Sequence, residues 1–225
     1  MDKTDHYINI HTHKIQTDNQ IAVLNIIVNQ DLAVKSILPR QNNRYCSAGV
    51  HPWFMDEWKT QIEQLKKIAS KPNVIAIGEC GLDTKAKTSL TEQIELFSLQ
   101  IALSEQLQKP LIIHCVKAFN ELIEIRKTMK SKMPWIVHGF NGNLEIAKQC
   151  LHAGMILSFG KSLFNSKSSS IQVIKSLTTN SFFLETDESD YSIEEIYGRC
   201  SDITGISVEQ LKREMVINFN NSFKC

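Results

Sequence analysis

Seven histidines punctuate the 225-residue chain: His6, His11, His13, His51, His114, His138 and His152. Five of them, all but His6 and His152, fall where a short apolar run ends. His11 and His13 follow the run at Tyr7–Ile10. At i and i+2 on an extended strand, both imidazoles point to one side, which suits two ligands to one ion. His114 follows Leu111–Ile113 and His138 follows Trp135–Val137. Singly, each reads as a hydrogen-bonded core histidine; together on neighbouring strands they read as a second ligand pair. Glu79 closes the apolar run Val74–Gly78, where a carboxylate is costly unless it is paired or bound to a metal. Asp187 ends the run that starts at Phe182, where it could join His11 and His13 in an open three-ligand site or cap a helix. Glu185, two residues earlier, could bind an ion or support a ligand. Four histidines, one central and one terminal carboxylate can hold two divalent ions. Such pairs clamp the attacking and leaving oxygens of a displacement at phosphorus. Nitrogen and oxygen ligands without thiolates fit zinc or manganese, with magnesium less at home on imidazole.

These residues need a scaffold that brings distant strand ends together. The apolar runs at Tyr7–Ile10, Ala22–Val28, Tyr45–Val50, Val74–Gly78, Leu111–Ile113, Trp135–Val137, Met155–Ser158 and Phe182–Leu184 predict eight strands. Helical patterns lie between them. Asp56–Ser70 carries Trp58, Ile62, Leu65 and Ile68 on one face and stops at Pro72. Ser89–Gln108 opens on Ser89-Leu90-Thr91-Glu92, a capping-box pattern. Ala118–Lys130 follows, then Leu144–Ala153, which is closed by Gly154. Ser207 caps a terminal helix, with Ile206 and Leu211 spaced as a hydrophobic staple. Strands alternating with helices imply a parallel sheet, and eight of them an α/β fold of the (β/α)8 TIM-type barrel class. Lys14–Ile21 is too short for a crossover helix, and Pro39 interrupts Asn29–Arg44, so the barrel is expected to be trimmed and distorted after its first strands. Strand ends share one face in such a barrel, and that face is where active sites form.

Composition narrows the class. Hydrophobic residues make up 42% and charged residues 22%, a globular balance that argues against disorder, and residues 1–225 read as one domain. No apolar run approaches the ~20 residues of a membrane span, and no secretory or transit pattern is expected from Met1–Asp5, which is polar and acidic at two positions. The expectation is a cytoplasmic chain with no membrane association and no obligate protein partner. A net charge of +1 draws in no polyanion globally, so a nucleic-acid substrate needs a local basic surface. The six cysteines include no C-x-x-C pair and read as buried apolar side chains in a reducing compartment. Trp53, beside His51, is a candidate for stacking on a base, whereas Trp58 belongs to an apolar helix face.

Taken in order, several segments resemble the TatD family of metal-dependent hydrolases, a branch of the amidohydrolase-like barrels. They are Asn9-Ile10-His11-Thr12-His13, Gly49-Val50-His51-Pro52-Trp53, Ile77-Gly78-Glu79-Cys80-Gly81-Leu82-Asp83, Pro110-Leu111-Ile112-Ile113-His114, His138-Gly139-Phe140-Asn141-Gly142 and Leu184-Glu185-Thr186-Asp187. The resemblance implies a two-metal centre: His11, His13 and Asp187 on one ion, His114 and His138 on the other, and Glu79 bridging them. It also implies that Asp187 is the general base and that His51 contacts the substrate phosphate. The activity implied is that of a deoxyribonuclease, a phosphodiester hydrolase working on DNA ends in the 3′–5′ direction through metal-bound hydroxide, with DNA or a nucleotide as substrate. Two divalent ions (Zn, Mn or Mg) are the implied cofactors. The chain departs from the family pattern at Asn9, often Asp, and at Cys115-Val116-Lys117, often Ser-Arg-Asp. Lys117 or Lys161 is the candidate replacement for that arginine as a phosphate contact. Two other readings stand beside this one: an amidohydrolase-type enzyme for a small ester, amide or phosphate, and a non-catalytic metal-binding protein on the same fold.

Overall fold

The computed structural model describes residues 6–14, 17, 19–29 and 43–223. Eight strands form one sheet: β1 (Tyr7–Thr12), β2 (Gln20–Ile27), β3 (Arg44–Gly49), β4 (Val74–Asp83), β5 (Leu111–Val116), β6 (Trp135–Val137), β7 (Met155–Phe159) and β8 (Phe182–Leu184). They pair in chain order and in parallel. The ring closes just beyond β8, where the Asp187 N–H donates to the His11 carbonyl at 3.0 Å and the His13 N–H to the Asp187 carbonyl at 3.2 Å. One layer below, Asn9 continues the seam. Its Oδ1 accepts the Thr186 N–H at 3.1 Å, and its Nδ2 donates to Thr186 Oγ1 at 2.9 Å and Gln20 Oε1 at 3.0 Å. The expected eight-stranded barrel is therefore present.

Between the strands run α1 (Trp58–Ala69), α2 (Leu90–Leu107), α3 (Phe119–Met129), α4 (Leu144–His152) and α5 (Ser170–Ser176), and after β8 come α6 (Ile193–Thr204) and α7 (Val208–Ser222). Among the described residues, no helix separates β1 from β2 or β2 from β3. The reading of Asn29–Arg44 falls largely outside those residues. The terminal helices cover the seam instead. α7 packs on β1 and β8, and the buried Tyr197 of α6 bolts to β1 through its hydroxyl, which donates to the Ile8 carbonyl at 3.0 Å and accepts the Ile8 N–H at 3.1 Å. Fully burying aromatic side chains such as Trp135, Phe97, Phe140 and Phe182 contributes about 1.5–3 kcal/mol each. Among the described residues, no helix is long and apolar enough to cross a membrane.

The caps follow the sequence. Ser89 accepts the Glu92 N–H, Asn143 that of Ile146 and Ser207 that of Gln210. Gly154 takes a left-handed φ of 76° after α4. Helix α6 was not expected, although Ser192 and Glu195 form a reciprocal capping box at its start and Gly205 ends it at φ 75°. Several strand ends also differ from expectation, among them that of β1, which runs past Ile10 to Thr12 and takes in His11. β4 continues past Gly78 to Asp83, and β5 continues past Ile113 to Val116, so Glu79 and His114 lie inside strands rather than at their ends. Polarity does not stop these strands because Gly81, Leu82 and Asp83 pair with His114, Cys115 and Val116, while the polar side chains meet one another at the rim.

Two irregularities aim the polar residues. β1 carries one extra residue against β2 between Asn9 and Thr12, the stretch that holds His11. β4 carries one extra residue against β5 between Ile77 and Cys80, the stretch that holds Glu79. Extra residues of this kind re-aim side chains locally. The second depends on Gly78, whose φ is 142° and where a Cβ would strike the Ile112 carbonyl oxygen. Gly78→Ala is therefore expected to lower the thermal midpoint sharply or prevent folding. Gly198→Ala, inside α6 with nothing within 4 Å of the new methyl, is expected to add about 0.5–1 kcal/mol. Thermal and urea melts of the two variants check the pair, and a Gly78→Ala melt at or above the parent's would contradict it.

Candidate metal centre

Glu79 lies under five imidazoles at the carboxyl-end rim. Its Oε1 is 2.8 Å from His138 Nε2, 2.9 Å from His114 Nδ1 and 3.1 Å from His51 Nε2. Its Oε2 is 3.5 Å from His11 Nε2 and 3.7 Å from His13 Nε2. Asp187 Oδ1 joins the second side, 3.7 Å from His11 Nε2 and 3.6 Å from His13 Nε2. All six candidate ligands named from the sequence thus meet in one cluster, together with His51.

The two sides of Glu79 differ in kind. On the Oε1 side the separations are those of hydrogen bonds to protonated ring nitrogens. On the Oε2 side they are too long for that, and His11, fully buried, has no hydrogen-bond partner on either ring nitrogen. Buried polar atoms are seldom left so. Ligands held about 2.1 Å from one tetrahedral ion stand about 3.4 Å apart, close to the spacings of His11 Nε2, His13 Nε2, Glu79 Oε2 and Asp187 Oδ1. The residues therefore fit a divalent ion. Three groups of donors converge closely enough to hold one: His11, His13 and Glu79; His11, His138 and Asp187; and His51, Glu79 and His114.

A second ring of residues holds these side chains, and the sequence pointed to little of it. Asn25 of β2 donates to Glu79 Oε2 at 3.0 Å while its own oxygen accepts the Glu79 N–H at 3.0 Å. Its signal was a polar side chain inside the apolar run Ala22–Val28. Asp83 sits 2.9 Å from His114 Nε2 and accepts the Trp53 indole N–H at 2.6 Å. Glu185, fully buried, accepts the Gly139 N–H at 2.6 Å and stands 3.5 Å from His138 Nδ1, so it backs a candidate ligand. Buried glutamines on the outer helices peg the loops. Gln100 brackets Val50 beside His51, bonding its N–H at 2.8 Å and its carbonyl at 3.1 Å. Gln61 reaches the Val28 and Phe54 carbonyls.

His51 is not free at the mouth; it is almost wholly buried. The Trp53 N–H donates to its Nδ1 at 3.1 Å, which leaves the proton of the neutral ring on Nε2, the nitrogen that faces Glu79. Two cavities flank the cluster. One, of about 270 Å³, is lined by Asn141, Lys161, Ser162 and Glu185; the Lys161 ammonium is 3.7 Å from Asp187 Oδ2. The other, of about 280 Å³, is lined by Ile27, Trp53, Phe54 and Glu188, and Trp53 and Phe54 are 54% and 45% exposed. Of the two candidate lysines, the structure brings only Lys161 to the site. Lys117 is exposed, follows β5 at a left-handed φ of 54°, and lines neither cavity. Trp58 packs against the core as expected. His6 is half-buried with Asn43 Nδ2 3.3 Å from its Nε2.

Electrostatics follow from this geometry. Burial alone would raise the Glu79 carboxyl, but His138, His11, His114 and His13 together hold it well below the ordinary carboxylate range. Burial opposes charge on His138 and His13, yet Glu79, aided by Glu185 at His138 and by Asp187 and Glu188 at His13, raises both, His138 strongly. At His51, burial outweighs Glu79 and the net shift is downward. Burial would raise Asp83 too, but His114 and Trp53 lower it.

A parallel eight-stranded barrel with a buried histidine–carboxylate cluster on its carboxyl rim belongs to the TIM-type barrels that build their sites at strand ends. The chain is a member of the TatD-related DNase family, whose family model matches residues 10–224. Among curated relatives, the 3′–5′ ssDNA/RNA exonuclease TatD of Pantoea vagans is 37% identical over 114 residues, 49% of this chain and 44% of that protein. The protein of the same name from Pectobacterium atrosepticum is 38% identical over 118 residues, 50% and 45% of the two chains. The matched stretch thus spans less than half the length of these relatives. A TatD homologue from Escherichia coli K12 shares the fold at a TM-score of 0.86 over 98% of both chains with 19% identity. A TatD-family hydrolase from Entamoeba histolytica shares it at 0.79 over 97% of this chain and 98% of its own, with 20% identity.

Were His138 and His13 to ligate an ion, their raised pKa values would make its binding depend on pH. Both rings carry protons above the pH at which a free imidazole loses its own, and a ligating ring must give its proton up. Affinity for Mn²⁺ or Zn²⁺ is therefore expected to climb as pH rises through and beyond the free-imidazole range at about 6.5, with protons released on binding. Calorimetric titration of metal-stripped protein in buffers of different ionisation enthalpy checks this. A binding constant flat across that range would contradict it.

Proposed function

We propose that this chain is a metal-dependent phosphodiester hydrolase, a deoxyribonuclease that removes nucleotides from the ends of single-stranded DNA. The observation that carries the reading is the two-sided surrounding of Glu79: one oxygen toward His11, His13 and the neighbouring Asp187, the other toward His114 and His138. On this reading, His11, His13 and Asp187 hold one ion, His114 and His138 the other, and Glu79 serves both. Bound divalent ions supply an acidified water and positive charge against the phosphate oxygens. The names of the curated relatives, which specify 3′–5′ exonucleases on single-stranded DNA and RNA, support the substrate class and extend it to RNA.

The chain's own groups divide the remaining work. The Nε2–H of His51, on a ring fixed by the Trp53 main chain, faces Glu79 Oε1 at 3.1 Å and would pass from it to a phosphate oxygen once ions neutralise Glu79. The Lys161 ammonium places a second positive charge on the opposite flank. Asp187 takes the proton of the attacking water. Trp53 and Phe54 offer exposed ring faces on which an unpaired base stacks. Glu188 and Asp190 lie on the loop after β8, and Asp190 is ion-paired to Lys14 at 2.8 Å, so the loop presents less negative charge to a nucleic acid than its sequence suggests.

Two outcomes are expected from an end-labelled single-stranded oligonucleotide given to metal-stripped protein with Mg²⁺, Mn²⁺ or Zn²⁺ restored. The parent chain shortens it from one end in steps, and Asp187→Asn loses about 10²–10⁴ of that rate while still binding the strand. No cleavage with any ion, in protein that binds metal, would sink the nuclease reading. Lys161→Ala is expected to raise KM and flatten its salt dependence with little change in kcat, since a charge that serves binding is screened by salt; an unchanged KM would remove Lys161 from substrate contact.

A further inference from the structure

The six candidate ligands leave one set of rim contacts unused. Asp83, buried at the end of β4, accepts the Lys85 N–H on Oδ1 at 2.8 Å. Its Oδ2 accepts the Trp53 indole N–H at 2.6 Å and stands 2.9 Å from His114 Nε2. The main chain of Asp83 is itself fixed, because its N–H donates to Gln93 Oε1 at 2.8 Å and its carbonyl accepts from Gln93 Nε2 at 3.0 Å. His114 is thus held between two carboxylates, with Nδ1 toward Glu79 and Nε2 toward Asp83.

A neutral imidazole has one N–H and one lone pair. A ring that ligates an ion turns the lone pair to it and gives the other N–H to an outer partner. Glu79 Oε1, which Nδ1 faces, is shared with His51 and His138 and lies within the cluster. Asp83 lies outside it, bonded to a side chain of the mouth. We propose that Asp83 is a positioning residue: it takes the Nε2–H of His114, leaving Nδ1 bare toward the metal centre, and Trp53 fixes the accepting oxygen. Trp53 is both half exposed and bonded to that oxygen, so a single carboxylate joins the solvent-facing aromatic surface to a ligand. The inference rests on the metal-site reading above and on no particular substrate.

Zinc titration of the metal-stripped full chain and nitrogen-15 histidine spectra of the zinc-loaded protein test it. In the parent, His114 is expected to carry its proton on Nε2 and show a coordinated Nδ1. Asp83→Asn, which keeps the shape but turns a donor toward Oδ1's or Oδ2's partners, is expected to lose about 10–100-fold in zinc affinity and to disturb the His114 tautomer. Trp53→Phe keeps an aromatic ring, lacks the N–H, and is expected to lose less in the same direction with an unchanged circular dichroism spectrum. A parent His114 protonated on Nδ1 overturns the proposal, as do two variants that bind zinc as tightly as the parent. If Asp83→Asn does not fold, the parent spectrum and Trp53→Phe decide. A parent that binds no zinc overturns this proposal and the metal-site reading together, whereas failure to cleave DNA bears only on the substrate.

Discussion

A buried carboxylate is the costly object around which the rim is organised. Glu79 is 4% exposed, and an uncompensated charge at such depth costs far more than any single contact returns. Compensation comes from five imidazoles, and imidazoles can compensate in two ways: by carrying protons or by sharing metal ions. Protons explain the short separations on the Oε1 side and the upward shift of His138. They do not explain the Oε2 side, where His11 is buried with no hydrogen-bond partner and the separations are those of ligands around an ion. Metal loading at this site would therefore replace protons by divalent charge around one fixed carboxylate.

Closing the barrel and assembling the site are the same event. The hydrogen bonds that join the first strand to the last run through the main chains of His11, His13 and Asp187, the three residues read as ligands of one ion. Residues 176 positions apart along the chain (11 and 187) meet only when the ring shuts, so the site depends on contacts of high sequence separation. The terminal helices protect this seam. Tyr197 grips both polar groups of Ile8, and α7 lies over β1 and β8.

Much of this was legible in the residues, because strands buried on both faces read as unbroken apolar runs and a polar residue at their ends stands out. β6 and β8 have the limits that their apolar runs gave, and His11, His13, Glu79, His114, His138 and Asp187 all meet. What escaped has physical causes. Glu79 and His114 read as strand ends because each follows an apolar run, whereas inside a barrel rim a strand continues while its polar side chains face one another. Helix α6 was not expected, although Ser192, Glu195 and Gly205 mark its two ends. Asn25 and Asp83 act through hydrogen bonds to other strands, and no spacing along one chain encodes such partners. Lys117 and Lys161 looked equivalent as strand-end cations; only the fold separates the one that lines the cavity from the one that does not.

The family places this chain among TatD-related barrels, and Glu79 is where membership and chemistry meet. Anomalous diffraction from crystals soaked in Mn²⁺ would test its role directly. Two peaks are expected, one on each side of the Glu79 carboxylate, with His11, His13 and Asp187 about the first and His114 and His138 about the second. A single peak among His51, Glu79 and His114, with nothing beside His11 and His13, would contradict the two-sided centre.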